Sequence, residues 1–348
     1  MKALVYHGPG RHSWEDVADP VIQDDRDCVV RVDAVTICGT DLHILKGDVP
    51  TCEPGTILGH EAMGTITAVG DGVRDRKVGD RVLISCISSC GTCRYCREGS
   101  YGQCLGGGGW ILGHRINGTQ AEQVRVPFAD TSTYVLPEAV RDEQSLLLAD
   151  ILPTSWEVGV RNGAVSAGDT VVIVGAGPIG LAAVMTAQLM APAAIVVVDK
   201  SSARLDAAKR LGATVCVTDA EQARQAVMEL TDGLGADTAI EAVGIPETFE
   251  LCVTLVRPGG HVANVGVHGK PATLHLEDIW IRNLTITTGL VDTKSTPTLL
   301  KMVASHQLES SGLITHRFGI GEMMEAYDVF SRPTESDALK VALFREHG

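Results

Sequence analysis

The sequence predicts an α/β protein, with a doubly wound parallel sheet drawn from the middle of the chain and a mostly β domain made from the segments on either side. Three observations carry this. An apolar, β-branched run at 171–174 feeds directly into Gly175-x-Gly177-x-x-Gly180 and then into a helix-compatible segment. Strand candidates then recur at 214–217, 238–242, 262–267 and 284–288, the early ones separated by helical segments such as 203–211 with its Gly-Ala stop. The flanks instead carry short alternating runs, "CVVRVDAVTI", "GTITAVG" and "DRVLISC", the period of half-buried antiparallel strands.

Each element of the central domain has a reason. Gly175 allows a tight turn, Gly177 lets backbone approach a pyrophosphate, and Gly180 lets helix and strand pack closely. Pro178 and Ile179 open the helix, whose N-terminus then faces the phosphates. This is the fingerprint of a Rossmann dinucleotide-binding domain, placed at 152–290 between 1–151 and 291–348. The second strand, "AAIVVVD", ends in Asp199, whose carboxylate suits the two ribose hydroxyls and repels a 2′-phosphate. NAD(H) is therefore expected over NADP(H), with Lys200 and Arg204 the nearby cations that weaken the preference. Val243, Gly266, Val267 and Leu290 are expected to end their strands at the carboxyl edge, where a nucleotide lies. A hydropathy window flags 181–198 as a membrane span, but Pro178, Gln188 and Pro192 divide the region into helix, turn and strand.

Composition limits the partners. A chain of 348 residues, 45% hydrophobic, buries ample core for two domains. Its net charge of -14 opposes nucleic acid and anionic membranes and favours a small-molecule partner. The start, "MKALVYHGPG", lacks a secretory h-region, so a cytoplasmic location is expected. In a reducing compartment ten cysteines point to metal or chemistry rather than disulfides. Cys90, Cys93, Cys96 and Cys104, in "CGTCRYCREGSYGQC", supply four thiolates to one tetrahedral zinc. Such a closed set holds a loop together and leaves no position for substrate. Cys28, Cys52, Cys86, Cys216 and Cys252 read as packing or surface cysteines.

The motifs "ICGTDLHILKG" and "LGHEAMGTI" complete a pattern. With the four-cysteine loop and the glycine fingerprint following in order, the chain resembles the zinc-dependent alcohol dehydrogenases of the medium-chain dehydrogenase/reductase superfamily, over nearly its whole length. The resemblance implies a GroES-like catalytic domain and two zinc ions per subunit, one catalytic and one structural. It places Cys38, His60 and Asp150 on the catalytic zinc, with Glu61 able to join when substrate is absent. Three ligands leave a fourth position for water or a substrate oxygen. Zinc then acts as a Lewis acid on the alcohol oxygen while hydride passes to the nicotinamide. Thr40 relays the proton through the nicotinamide ribose to His43, and Thr154 packs beside the nicotinamide ring. Trp110, after "GGGG", resembles a substrate-pocket tryptophan of bacterial secondary-alcohol dehydrogenases, and Ile87 is a further pocket candidate. A simple, secondary alcohol and its ketone are favoured, with an aldehyde, polyol or threonine-type substrate as alternatives. A homotetramer follows from the resemblance. The reading from another class is an inactive zinc- and nucleotide-binding protein, against which the presence of all five of Cys38, Thr40, His43, His60 and Asp150 weighs.

Overall fold

The computed structural model describes residues 1–345, which divide into two compact units, 1–150 with 292–345, and Ile151–Val291. The first begins with a hairpin of β1 (Lys2–Tyr6) and β2 (His12–Asp16). Then come β3 (Cys28–Thr36), α1 (Gly39–Lys46), β4 (Ala62–Val69), β5 (Arg81–Ile84), β6 (Gln123–Val126) and β7 (Thr133–Val135). The second unit supplies β8 (Thr170–Val174), α2 (Pro178–Gln188), β9 (Ala194–Val198), α3 (Ser202–Arg210), β10 (Val215–Val217) and α4 (Ala220–Leu230). It continues through β11 (Ala236–Glu241), α5 (Pro246–Leu255), β12 (Val256–Asn264) and β13 (Thr285–Thr288). The chain then returns to the first unit with β14 (Ile314–Gly319), α6 (Met323–Ser331) and β15 (Lys340–Phe344).

The sheet of the first unit runs β14-β15-β3-β4-β5-β7, with β6 also paired to β3. All its pairings are antiparallel except β14 with β15. The long central strand β3 buries Cys28, Val30, Val32 and Val35 in one core with Leu4, Ile37, Leu58, Ile66 and Phe330. The C-terminal β15 pairs Ala342 with Thr36, so the last fifty residues complete a sheet that the first 150 begin. His12 is half-buried in this unit against the ring of Tyr327, 5.2 Å between centroids. Burial holds its pKa, and that of His114, below the ordinary histidine value. The unfolded chain therefore takes up protons at about pH 6.5 where the folded chain does not. Stability should fall as pH drops from neutrality through 6.5, and His12→Asn should flatten the fall when melting temperature is followed from pH 7.5 to 5.5.

The second unit is the doubly wound sheet β10-β9-β8-β11-β12-β13, parallel throughout. Its innermost strands, such as β8 and β9, are covered on both faces and accordingly consist almost wholly of buried β-branched residues. The stretch flagged by hydropathy is α2 followed by β9. With 11 residues α2 is about 16 Å long, and it packs against the helical run at 151–161. No helix among the described residues is long and apolar enough to cross a membrane. Three strand ends differ from expectation. β12 stops at Asn264, where its pairing with Thr288 of β13 ends, so Gly266 and Val267 lie in the following loop. Val243 and Leu290 likewise lie two residues past β11 and β13.

Candidate metal centres and nucleotide cradle

The catalytic candidates come from three elements of the first unit. Cys38 caps the N-terminus of α1, with its backbone N–H donating to the Asp41 carboxylate at 2.9 Å. His60 and Glu61 lead into β4, and Asp150 ends the segment that follows β7. One ligand atom from each of Cys38, His60, Glu61 and Asp150 lies within 4.8 Å of all the others. Cys38 Sγ is 3.9 Å, and His60 Nε2 3.4 Å, from Asp150 Oδ2. Thr40 places its hydroxyl 3.7 Å from Cys38 Sγ. His43, on the same helix, is paired by Nδ1 with Asp48 at 2.9 Å and is partly exposed.

The donor set fits a divalent cation. Glu61, Asp150 and Asp41 bring three carboxyl groups to the half-buried Cys38, against one buried lysine, and an added cation relieves that imbalance. Burial, then the Glu61 charge, raises the Cys38 thiol pKa; a bound cation favours the thiolate instead. Burial opposes a proton on His60, yet bonding to Asp150 and Cys38 raises its pKa well above the ordinary value. A metal takes that proton's place. The Glu61 Oε1 and His60 Nδ1 atoms are buried without hydrogen-bond partners.

Sequence reasoning missed the residues that support this set. Lys340 of β15, 1% exposed, holds Glu61 Oε2 at 2.5 Å, and Thr36 Oγ1 bonds the same oxygen. Asp41 Oδ1 sits 3.7 Å from His60 Nδ1, while its Oδ2 accepts from Gln120 Nε2 at 2.9 Å. Gln120 in turn accepts from the Tyr327 hydroxyl at 2.7 Å. The Asp41 carboxylate therefore lies behind the candidate ligand histidine as a nearby charge, short of a hydrogen bond, and is itself held by Gln120 and the Cys38 N–H. Only the Cys-x-x-Asp spacing to the helix cap was a local clue.

The four-cysteine loop forms a second cluster, with ligand sulfurs again within 4.8 Å of one another. Backbone N–H groups of Cys93 and Leu105 aim at the sulfurs of Cys90 and Cys93, each at 3.4 Å. Burial opposes it, but the N–H groups of Thr92 and Cys93 help draw the Cys90 thiol down to about 6, the form a metal binds. Gly102 N–H anchors the lobe to Asp292 Oδ1 at 2.9 Å. Cys104→Ser should lower the melting temperature by several degrees and release one zinc per subunit while residual turnover persists; calorimetry with metal analysis checks this.

In the second unit the glycine turn has the predicted shape. Gly175 has φ of 100°, and a Cβ at Gly180 would lie 1.8 Å from the Gly175 carbonyl oxygen. A Cβ at Gly177 would meet nothing within 4 Å, which leaves the N-terminus of α2, uncapped by any side chain, open to a pyrophosphate. Asp199 follows β9 and accepts from Ala176 N–H at 2.7 Å and Ser201 N–H at 2.8 Å, so it braces the glycine turn. Arg204 lies in the first turn of α3, its N–H facing the Ser201 cap at 3.4 Å. Val243, Val267 and Leu290 are 45%, 62% and 43% exposed beyond the strand ends, apolar surface suited to a cofactor. Glu241, fully buried, was also missed: its Oε1 accepts from Val243 N, Gly244 N and Thr248 Oγ1 and so shapes that edge. Thr154 is half-buried at the junction between the short helix Ile151–Thr154 and the following π-helical turns.

Comparison with known proteins settles the family. The description "Alcohol dehydrogenase GroES-like domain" matches residues 24–138, and "Zinc-binding dehydrogenase" matches 178–305. A curated alcohol dehydrogenase of Cupriavidus necator is 34% identical, with 99% of this chain and 98% of that protein aligned. The chain belongs to the zinc-dependent alcohol dehydrogenases of the medium-chain superfamily. Among solved structures, the apo form of zinc dependent alcohol dehydrogenase 2 from Streptococcus pneumoniae has a TM-score of 0.95 at 49% identity, covering 100% of this chain and 99% of that one. An alcohol dehydrogenase from Thermus sp. ATN1 has a TM-score of 0.91 at 35% identity, covering 99% and 100%. Membership in this zinc alcohol dehydrogenase family brings zinc and a nicotinamide nucleotide as the cofactors.

Proposed function

We propose that this zinc alcohol dehydrogenase oxidises a simple alcohol, a secondary one by preference, reversibly to its ketone or aldehyde with NAD as hydride acceptor. The observation that carries the reading is the convergence of Cys38, His60 and Asp150 on one point, with Glu61 beside them and its charge balanced by Lys340. Three ligands suffice for zinc and leave room for an oxygen. When bound, the metal supplies a Lewis acid that brings an alcohol's pKa towards neutrality, and the nicotinamide supplies the two-electron acceptor.

The chain does the rest. Cys38, His60 and Asp150 would hold the catalytic zinc, while Cys90, Cys93, Cys96 and Cys104 would hold a structural one. Thr40 can accept a proton and donate its own, and His43, oriented by Asp48 on the solvent side of α1, can pass it to water. Asp199 supports the choice of NAD, since a 2′-phosphate would meet its carboxylate. The exposed Trp280 and Ile281, 75% and 69%, near the edge strand β13 support a homo-oligomer, by resemblance a tetramer.

Purified, zinc-loaded protein is assayed with NAD and with NADP against primary, secondary and polyol alcohols and threonine, following reduced-cofactor absorbance. Turnover of secondary alcohols with NAD is expected. A polyol or threonine preference would replace the substrate assignment, NADP preference would overturn the role given to Asp199, and no turnover at all would leave a zinc- and nucleotide-binding protein.

A further inference from the structure

Trp110 stands beside the candidate metal centre, edge-on to His60 with 6.3 Å between ring centroids at 77°. Its backbone is set by the glycines before it. Gly109 exchanges hydrogen bonds with Ser88, at 2.6 and 3.0 Å, and a Cβ at Gly108 would lie 2.2 Å from the Ser88 carbonyl oxygen. That pairing also brings the strand next to buried Ile87. The indole plane, however, is set by another residue. His114 stacks on it with centroids 4.2 Å apart and planes 26° from parallel.

His114 is 6% exposed and bonded at both nitrogens. Its Nδ1 lies 3.1 Å from the Trp110 carbonyl oxygen and its Nε2 2.6 Å from Thr51 Oγ1. A carbonyl oxygen only accepts, so Nδ1 carries the proton, and in the neutral ring Nε2 accepts from the Thr51 hydroxyl. Burial, the largest influence on the ring, lowers its pKa and keeps it neutral. Thr51 belongs to the loop after α1, which carries Cys38 and Thr40, so the imidazole ties that loop to the one presenting Trp110.

We propose that His114, locked by Thr51 and the Trp110 carbonyl, is a specificity-determining positioning residue that fixes the indole as one wall of the alcohol site. This rests on the reading that alcohols react at Cys38, His60 and Asp150. The wall limits bulk on the substrate's carbon chain, and its sharpness depends on the stack rather than on the indole alone.

The test compares kcat/KM for 1-phenylethanol and 2-propanol, with NAD, in the wild type and in His114→Ala, His114→Phe and Thr51→Val. His114→Ala should shift the ratio towards the bulkier alcohol by about tenfold, with zinc content and the KM for NAD unchanged. His114→Phe, which keeps a stacking ring without the bonds, and Thr51→Val, which removes one bond, should give intermediate ratios. Tryptophan emission provides a readout independent of turnover: it should change on His114→Ala, and the change should vanish when Trp110→Phe is also present. A uniform loss for both alcohols, or ratios within about twofold of wild type in all three variants, would overturn the proposal while leaving the dehydrogenase reading intact. If the wild type oxidises neither these nor any other alcohol, that reading fails and the proposal with it.

Discussion

Cys38→Ser is expected to abolish turnover, by at least roughly a thousandfold in kcat, with one of two zinc ions lost per subunit and the fold retained. The thiolate is the single sulfur donor in a set whose other members are an imidazole and carboxylates, and a serine hydroxyl at this position is a poor zinc ligand. Loss of the thiol need not unfold the protein. Cys38 caps α1 through its backbone, and the N–H to the Asp41 carboxylate survives the substitution. Circular dichroism and melting temperature should therefore stay close to wild type while metal analysis falls from two to one. If activity persists with full zinc, the ligand assignment is wrong. If both zinc ions are lost, the four-cysteine lobe is not the independent, closed centre its geometry describes.

The two metal centres were unequally legible in the sequence. Four cysteines within fifteen positions announce themselves, because a loop that must wrap one ion keeps its ligands close together. The catalytic candidates are scattered over more than a hundred positions, since an open site has to be assembled from different elements. They were found by resemblance more than by spacing. What supports them was invisible. Asp41 and Gln120 look like ordinary polar residues in a helix and a loop, and Lys340 interrupts the apolar run "ALKVALF" as a solvent-facing residue of an edge strand would. Only the return of the C-terminal segment beside β3 turns Lys340 inward to Glu61. The strand-end errors have a local cause. "VANVGV" alternates without a breaker until Gly266, whereas pairing stops at Asn264 because the neighbouring strand stops there. The glycine turn was readable because its signal is local in sequence: Gly175 takes a positive φ and Gly180 packs against the Gly175 carbonyl five residues before it.

Lys340→Met is expected to be the most destabilising of these substitutions. Lys340 and Glu61 are each 1% exposed, and burial opposes the charge on Lys340, yet Glu61 and Cys38 raise its pKa. Methionine matches the stem but leaves the Glu61 carboxylate with Thr36 and no cation. Removing one partner of a buried pair costs about 3–5 kcal/mol, far more than the pair itself contributes. In a chain of this size that is a drop of roughly 5 °C in melting temperature. The double variant Lys340→Met/Glu61→Gln separates causes: with no charge left to bury, most of the loss should be recovered, because an amide can still bond Thr36. Metal content gives the second readout. Freed of Lys340, Glu61 stands among Cys38, His60 and Asp150 as an uncompensated fourth donor, so zinc should bind more tightly while alcohol binds less well. A competitive chelator titration alongside the KM for alcohol checks both. If the single variant melts as wild type does and binds zinc no more tightly, Lys340 does not compensate the Glu61 charge beside the metal ligands.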